Sequence, residues 1–234
     1  MLWLLPTRNR PHMVVEYINA CEVSGCIPDH AVMVDQSSEE NVDKYRAIKW
    51  PDNWRVHYAT EHMELTKIFN YLWNLYPGYS AYGETTDHAR PRTADWSGKL
   101  EKVAGDWYIA NSVNQHDRRT RKNCGWGVGL RRLNAAAFGA KLLDLVGWFW
   151  LPATIHLGGD DCWEAIGYEA GILKFCDTVF IGDLAAWKGE FPKDENHQRL
   201  FKGTTFHLHD QMAKEEFIDK ELQPLVERII ARVH

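Results

Sequence analysis

The sequence predicts an α/β protein with a mostly parallel sheet and helices on both faces. Short apolar runs at residues 1–5, 31–34, 54–58, 80–83, 107–110 and 178–181 alternate with segments of helical spacing. The polar turns 7–10, 35–38 and 86–92 each follow a strand, so a parallel sheet gathers them on one edge, where open α/β sheets bind ligands. No repeat or low-complexity linker interrupts the chain. At 234 residues and 45% hydrophobic it suffices for one substantial core, so a single domain over residues 1–234 is expected.

The elements follow in order. Residues 1–5 read as a buried first strand, too short and lacking the charged leader for a signal peptide. The turn Pro6-Thr7-Arg8-Asn9-Arg10-Pro11 leads into a helix over 13–23, capped by Thr7 or Asn9, with Pro11 tolerated in its first turn. After the strands 31–34 and 54–58, residues 64–76 carry Leu65, Ile68, Phe69, Leu72 and Leu75 at helical spacing until Pro77-Gly78 stops them. A strand at 80–83, a helix at 93–104 and a strand at 107–110 come next. Residues 111–129, rich in basic, Gly and Asn residues, read as a long functional loop. Helices are expected at 134–146 and 160–173, a strand at 178–181, and one long C-terminal helix at 211–234.

Bulk properties exclude several classes. No run of about 18 apolar residues occurs, so no membrane-spanning helix is expected. Five cysteines without a Cys-x-x-Cys pair argue against a structural zinc or disulfide framework and for a reducing, cytoplasmic setting. The net charge of −5 argues against a general polyanion binder. Yet residues 88–132 hold ten Lys/Arg against four Asp/Glu, a local +6 that leaves −11 for the remainder. A basic zone on an acidic body suits an anionic substrate or acceptor; a solvated loop is the plain alternative. No Walker-type phosphate loop, no Gly-x-Gly-x-x-Gly after the first strand and no Gly-x-Ser-x-Gly elbow is present.

The most informative stretch is Gly83-Glu84-Thr85-Thr86-Asp87-His88-Ala89-Arg90-Pro91-Arg92-Thr93-Ala94-Asp95-Trp96. It begins where a strand ends and stops where a helix starts. Asp87 offers a hard ligand and His88 a borderline one. Arg90 and Arg92 suit an anion such as a diphosphate. Thr86 and Asp87 thus stand at a metal-nucleotide corner.

Here the chain resembles a known family. Leu-Leu-Pro-Thr-Arg-Asn-Arg-Pro at the start, and Val-Met-Val-Asp-Gln-Ser-Ser about thirty residues on, look like the entry to the GT-A (Rossmann-like) nucleotide-sugar glycosyltransferases, family-2-like. Asp87-His88…Pro91-Arg92-Thr93…Trp96 resembles the Asp-x-Asp-type metal corner of small phage DNA-modifying members. Gly147-Trp148-Phe149…Pro152…His156…Asp160-Asp161-Cys162-Trp163 resembles the acceptor-side segment with its catalytic carboxylate.

The resemblance spans roughly residues 2 to 190. It implies that Pro6, Thr7, Arg8, Arg10 and Asp35 hold the nucleotide, with Thr86, Asp87 and Arg90 on the diphosphate. It implies Mn2+ or Mg2+ on Asp87, with His88 where an acidic residue is usual. Asp183 stands where the family often returns a histidine to the metal, and His207 or His209 is a further candidate. The nucleotide-binding half is then 1–110, and 111–234 is the acceptor-binding half with the C-terminal helix.

The expected reaction moves a sugar from a nucleotide donor, UDP favoured, to a hydroxyl. Asp160 and Asp161 compete as the base, and a carboxylate base implies inversion. The favoured acceptor is a hydroxymethylpyrimidine in phage DNA, contacted by Arg118, Arg119, Arg121, Lys122, Trp126 and Trp163, in the host cytoplasm. The chain holds eleven tryptophans, most expected in the core; Trp126, between two glycines, is the best candidate for stacking. A bacterial surface glycan or lipid-linked sugar is the competing acceptor. A nucleotidyltransferase and a non-catalytic binding protein are the other readings, the former weakened by the missing Gly-rich first loop.

Overall fold

A computed structural model describes residues 1–113, 133, 135–183 and 204–233. Its strands are β1 (Leu2–Thr7), β2 (Asp29–Val34), β3 (Trp54–Tyr58), β4 (Ala81–Glu84), β5 (Ala89–Pro91), β6 (Ile109–Val113), β7 (Ala137–Gly139) and β8 (Leu173–Asp183). The helices are α1 (Pro11–Val23), α2 (Glu39–Arg46), α3 (Leu65–Leu75), α4 (Trp96–Ala104), α5 (Ala140–Val146), α6 (Gly159–Glu169), α7 (Thr204–Lys220) and α8 (Leu222–Val233). One sheet runs β3-β2-β1-β4-β7-β6-β8-β5. The strands β3, β2, β1 and β4 are parallel, as are β6 and β8; among the described residues every antiparallel pairing involves β5 or β7.

Strand alternation divides the core into two layers. Leu2, Leu4, Ala31 and Met33 face Ile68 and Phe69 of α3, Leu142 of α5, Trp163 of α6, Phe217 of α7 and Ile229 of α8. Trp3, Leu5, Val32 and Val34 face Val14 and Tyr17 of α1, Tyr45 of α2 and Trp96 of α4. A first strand apolar on both faces is what a central parallel strand requires. Full burial of each such side chain stabilises by roughly 1.5–3 kcal/mol.

Several expectations need correction. Residues 134–146 are not one helix: Ala137–Gly139 form β7, hydrogen-bonded between β4 and β6, and only Ala140–Val146 is helical. Gly139 passes so close to Asp106 that a Cβ there would overlap its backbone. The helix expected to reach residue 173 ends at Glu169, and Gly171 at φ +68 turns the chain into an eleven-residue β8. The C-terminal helix is two, broken at Glu221 ahead of Pro224, whose ring and missing N–H suit a first turn. No side chain caps α1. Instead Asn9, at φ +53, accepts hydrogen bonds from the Ser38 N–H (2.9 Å) and the Asn41 amide (3.2 Å), tying the first turn to the start of α2.

Candidate functional site

The carboxyl ends of β1, β2 and β4 meet as expected, and backbone bonds lock them: Asp35 N–H donates to Thr7 O (2.9 Å) and Thr85 N–H to Leu4 O (3.1 Å). At their junction Asp87 is 3% exposed. Its Oδ2 accepts from Thr7 Oγ1 at 2.8 Å; its Oδ1 lies 3.5 Å from an Arg10 nitrogen and 3.4 Å from His88 Nδ1. Burial pushes the Asp87 carboxyl up, but His88, the Arg10 charge and the Thr7 hydroxyl outweigh it and hold the group below its ordinary value. Because Thr7 spends its one proton on this carboxylate, the Tyr45 hydroxyl, 2.8 Å away, donates to Thr7 and accepts from the Arg10 N–H, also at 2.8 Å. The directed chain Arg10–Tyr45–Thr7–Asp87 fixes the turn after β1 against the turn after β4.

Beside this node, Asp35 is 4% exposed and accepts from the Met63 N–H (2.8 Å) and His62 Nδ1 (2.6 Å), with Arg8 at 3.9 Å. Arg8 also approaches His62 Nδ1 at 3.3 Å. Pro6 lies in β1 opposite Met33 of β2, and Thr86 accepts the Ala89 N–H in the turn carrying Asp87. The second half of the Gly83–Trp96 stretch is scaffold. Arg90 turns inward to the carbonyls of Asp87 (2.8 Å) and Ala89 (2.7 Å) and to Glu16 (2.6 Å), bracing the Asp87 turn from behind. Arg92 lies over the Phe180 ring, Thr93 accepts the Phe180 N–H, and Trp96 packs against Trp3.

Among the described residues no group of three or more His, Cys, Asp or Glu side chains is arranged to hold a metal ion. Asp87 and His88 supply a carboxylate and an imidazole side by side. Asp183 pairs through its backbone with Ala89, two residues beyond Asp87; its side chain lies outside the described set. Asp87 and His88 are the described side chains here that could hold a cation.

The segment from Gly147 to Trp163 is held from two directions. From α3, Asn70 accepts the Phe149 and Trp150 N–H groups and donates to Trp150 O. From α7, Asp210 accepts three consecutive backbone N–H groups, and Lys214 pairs with Asp161. Asp160 and Asp161 open α6, both partly exposed. Trp163 needs correction as an acceptor platform: it is fully buried, with its indole N–H on Phe149 O (2.7 Å) and its ring against Phe138 and Trp148. His207 and His209 are exposed on α7.

His156 joins the two sides. Burial lowers its imidazole to about 4; Asp210 acts the other way, and His207, His62 and Arg10 lower it further. The loop before α6 therefore lies within electrostatic reach of both the Asp87–Asp35 corner and α7. His30, fully buried beside Tyr17 and Trp54, is depressed to about 3 by burial.

These imidazoles stay neutral in the folded chain but take a proton near 6.5 once unfolded. Their contribution is full above pH 6.5 and erodes as pH falls towards the folded values of about 4 and about 3. Stability should fall from pH 7 to pH 5 by up to about 2 kcal/mol for each histidine. Urea midpoints across that range check this, and His156→Gln should flatten the slope.

No protein-family profile matches the chain, and no curated protein matches it by sequence. Solved structures do match. Mannosyltransferase PcManGT from Pyrobaculum calidifontis, solved with GDP-Man and Mn2+, aligns with TM-score 0.61 and 14% identity over 98% of this chain and 72% of its own. GalNAc-T7, solved with UDP, GalNAc and Mn2+, aligns at 0.60 and 12% over 99% of this chain, which spans only 56% of its length. The S. aureus TarS fragment solved with UDP-GlcNAc aligns at 0.59 and 13% over 99% of this chain and 70% of its own. The chain has a GT-A fold.

On this GT-A sheet, Arg118, Arg119, Arg121, Lys122 and Trp126 lie outside the described residues. Sequence reasoning missed Tyr45, His62, Asp210 and Lys214 and read His156 only as part of a motif. Tyr45 had one available signal, a lone aromatic in the polar stretch Glu39–Arg46. The others are recruited by contacts distant in sequence. Among the described residues no helix of this GT-A chain is long and apolar enough to cross a membrane.

Proposed function

We propose that the chain is a metal-dependent glycosyltransferase that moves a sugar from a nucleotide-diphospho-sugar, UDP-linked by preference, to a hydroxyl acceptor. The observation that carries this is the buried, arginine-paired Asp87 at the strand ends of a GT-A sheet, with Asp35 beside it. Arg8 and Asp35 would meet the nucleoside, and Thr7 and Arg10 keep the Asp87 carboxylate ionised and aimed. Mn2+ or Mg2+ at Asp87, with His88 and Asp183 as further ligands, would supply charge neutralisation for the departing diphosphate. Arg10 adds a fixed positive charge at the same place. Asp160 or Asp161 takes the acceptor proton, and a carboxylate base implies inversion.

The acceptor we favour is a hydroxymethylpyrimidine of phage DNA. Support comes from the +6 window with Trp126 among its basic residues, a composition suited to phosphate contacts and base stacking. Thermal unfolding against a panel of nucleotide sugars, with and without Mn2+, should show metal-dependent stabilisation by the true donor and identify its base. Labelled sugar should then pass to duplexes containing hydroxymethylpyrimidines. Neutralising Arg118, Arg119 and Arg121 should weaken DNA binding and flatten its salt dependence. Transfer to oligosaccharide or lipid-linked acceptors alone would refute the DNA assignment while leaving the donor chemistry intact. Stabilisation by nucleotide sugar without turnover would point to a binding protein.

A further inference from the structure

Helix α7 presents two ionised side chains four residues apart, and hence on one face, to the junction before α6. Asp210 is 1% exposed and accepts the backbone N–H groups of Ile155 (2.6 Å), His156 (2.9 Å) and Leu157 (2.7 Å). Lys214 places its Nζ 2.8 Å from Asp161 Oδ2, with the two side chains 17% and 25% exposed. The Lys214 stem runs over Gly158, which sits at φ +85; a Cβ there would lie 3.6 Å from Lys214 Cδ. Asp161 Oδ1 forms no hydrogen bond with another described residue. One oxygen is thus anchored, and the other is left to receive a proton.

We infer that Lys214 is a positioning residue that aims Asp161 as the base of the transfer, an assignment resting on the glycosyltransferase reading above. Asp161 Oδ1 accepts the hydroxyl proton as the acceptor oxygen bonds to the anomeric carbon. The bond from that carbon to the donor diphosphate breaks, and its electron pair leaves with the diphosphate. The Lys214 ammonium fixes the orientation of the Asp161 carboxylate from the α7 side. Ionisable groups around the junction, among the described residues, include Cys162 and Glu164 on α6, His207, His209 and Asp210 on α7 and His156 in the loop. Asp210 holds the loop while Lys214 holds the carboxylate, so one helix sets both.

Hydrolysis of the nucleotide sugar, with water as acceptor, tests this without knowledge of the natural acceptor. In Lys214→Met, kcat should fall about ten-fold while the KM for the donor stays within about two-fold, and Lys214→Arg should restore kcat. Asp161→Asn should lose about 100-fold or more in kcat, and Asp160→Asn less than about ten-fold. In the Asp161→Asn background, Lys214→Met should cost little further, because the group it aims is already gone. An unchanged kcat in folded Lys214→Met, a full further loss in the Asp161→Asn background, or an Asp160→Asn loss equal to that of Asp161→Asn would overturn the assignment. If the wild type neither binds nor hydrolyses any nucleotide sugar, the glycosyltransferase reading fails, whatever the variants give.

Discussion

Asp87→Ala is expected to abolish metal-stimulated hydrolysis of the donor and to destabilise the fold by about 3 kcal/mol. The stability loss follows from what surrounds the carboxylate. Arg10 and Asp87 side chains are 10% and 5% exposed, and removing one partner of so buried a pair strands the other charge, at a cost of about 3–5 kcal/mol. Arg10 makes other contacts, which places the expected loss at the lower end. Thr7 also loses its acceptor, and with it the last bond of the chain that starts at the Arg10 N–H.

Asp87→Asn separates the two effects. It keeps shape and can still accept from Thr7, so it should cost less stability. It carries no charge for a cation, so turnover with Mn2+ should still drop about 10²–10³-fold. Denaturation curves and donor-hydrolysis rates on both variants make the comparison. Wild-type Mn2+-dependent turnover by Asp87→Asn would remove this residue from the metal site.

What could be read from the sequence was what local pattern dictates. Leu2-Trp3-Leu4-Leu5 is apolar at every position because both faces of β1 are covered, and such a run identifies a central strand. Thr7, Asp35 and Asp87 were legible because polar side chains directly after apolar strands fall on one edge of a parallel sheet. β7 was not legible: Ala135-Ala136-Ala137-Phe138-Gly139 carries helical propensity, and only the gap between β4 and β6 makes it a strand. Arg90 and Trp163 carry residue types that suit a ligand, yet both are bound inside the protein, and no sequence pattern separates the two uses. Asp210 and Lys214 reach Ile155 and Asp161 from more than fifty residues away, a pairing made by tertiary structure alone.

Gly83→Ala is expected to be as damaging as the loss of Asp87, by a route that involves no charge. Gly83 lies in β4 with Trp3 of β1 paired beside it and Ala137 of β7 on its other side. A Cβ on Gly83 would fall 2.6 Å from Cζ3 of the Trp3 indole and closer still to its Cε3, far inside van der Waals contact. That indole has nowhere to go: it is fully buried, donates to Ser97 Oγ at 2.8 Å, and packs on Trp96 with ring centroids 4.6 Å apart. The strands must separate or the tryptophan must leave its rotamer. Overpacking of a rigid core costs about 1–3 kcal/mol or more, and the absence of slack here argues for the upper end. Trp3→Leu alone should also destabilise, by about 3 kcal/mol, through the cavity and the unpaired Ser97. In the double variant the added methyl enters space the indole has vacated, so the two losses should be clearly less than additive in denaturant unfolding. Strict additivity would mean that Gly83 is required for backbone reasons and not for the close approach of Trp3. A sub-additive result would show that the opening glycine of the Asp87 stretch secures the sheet on which the Asp87 corner stands.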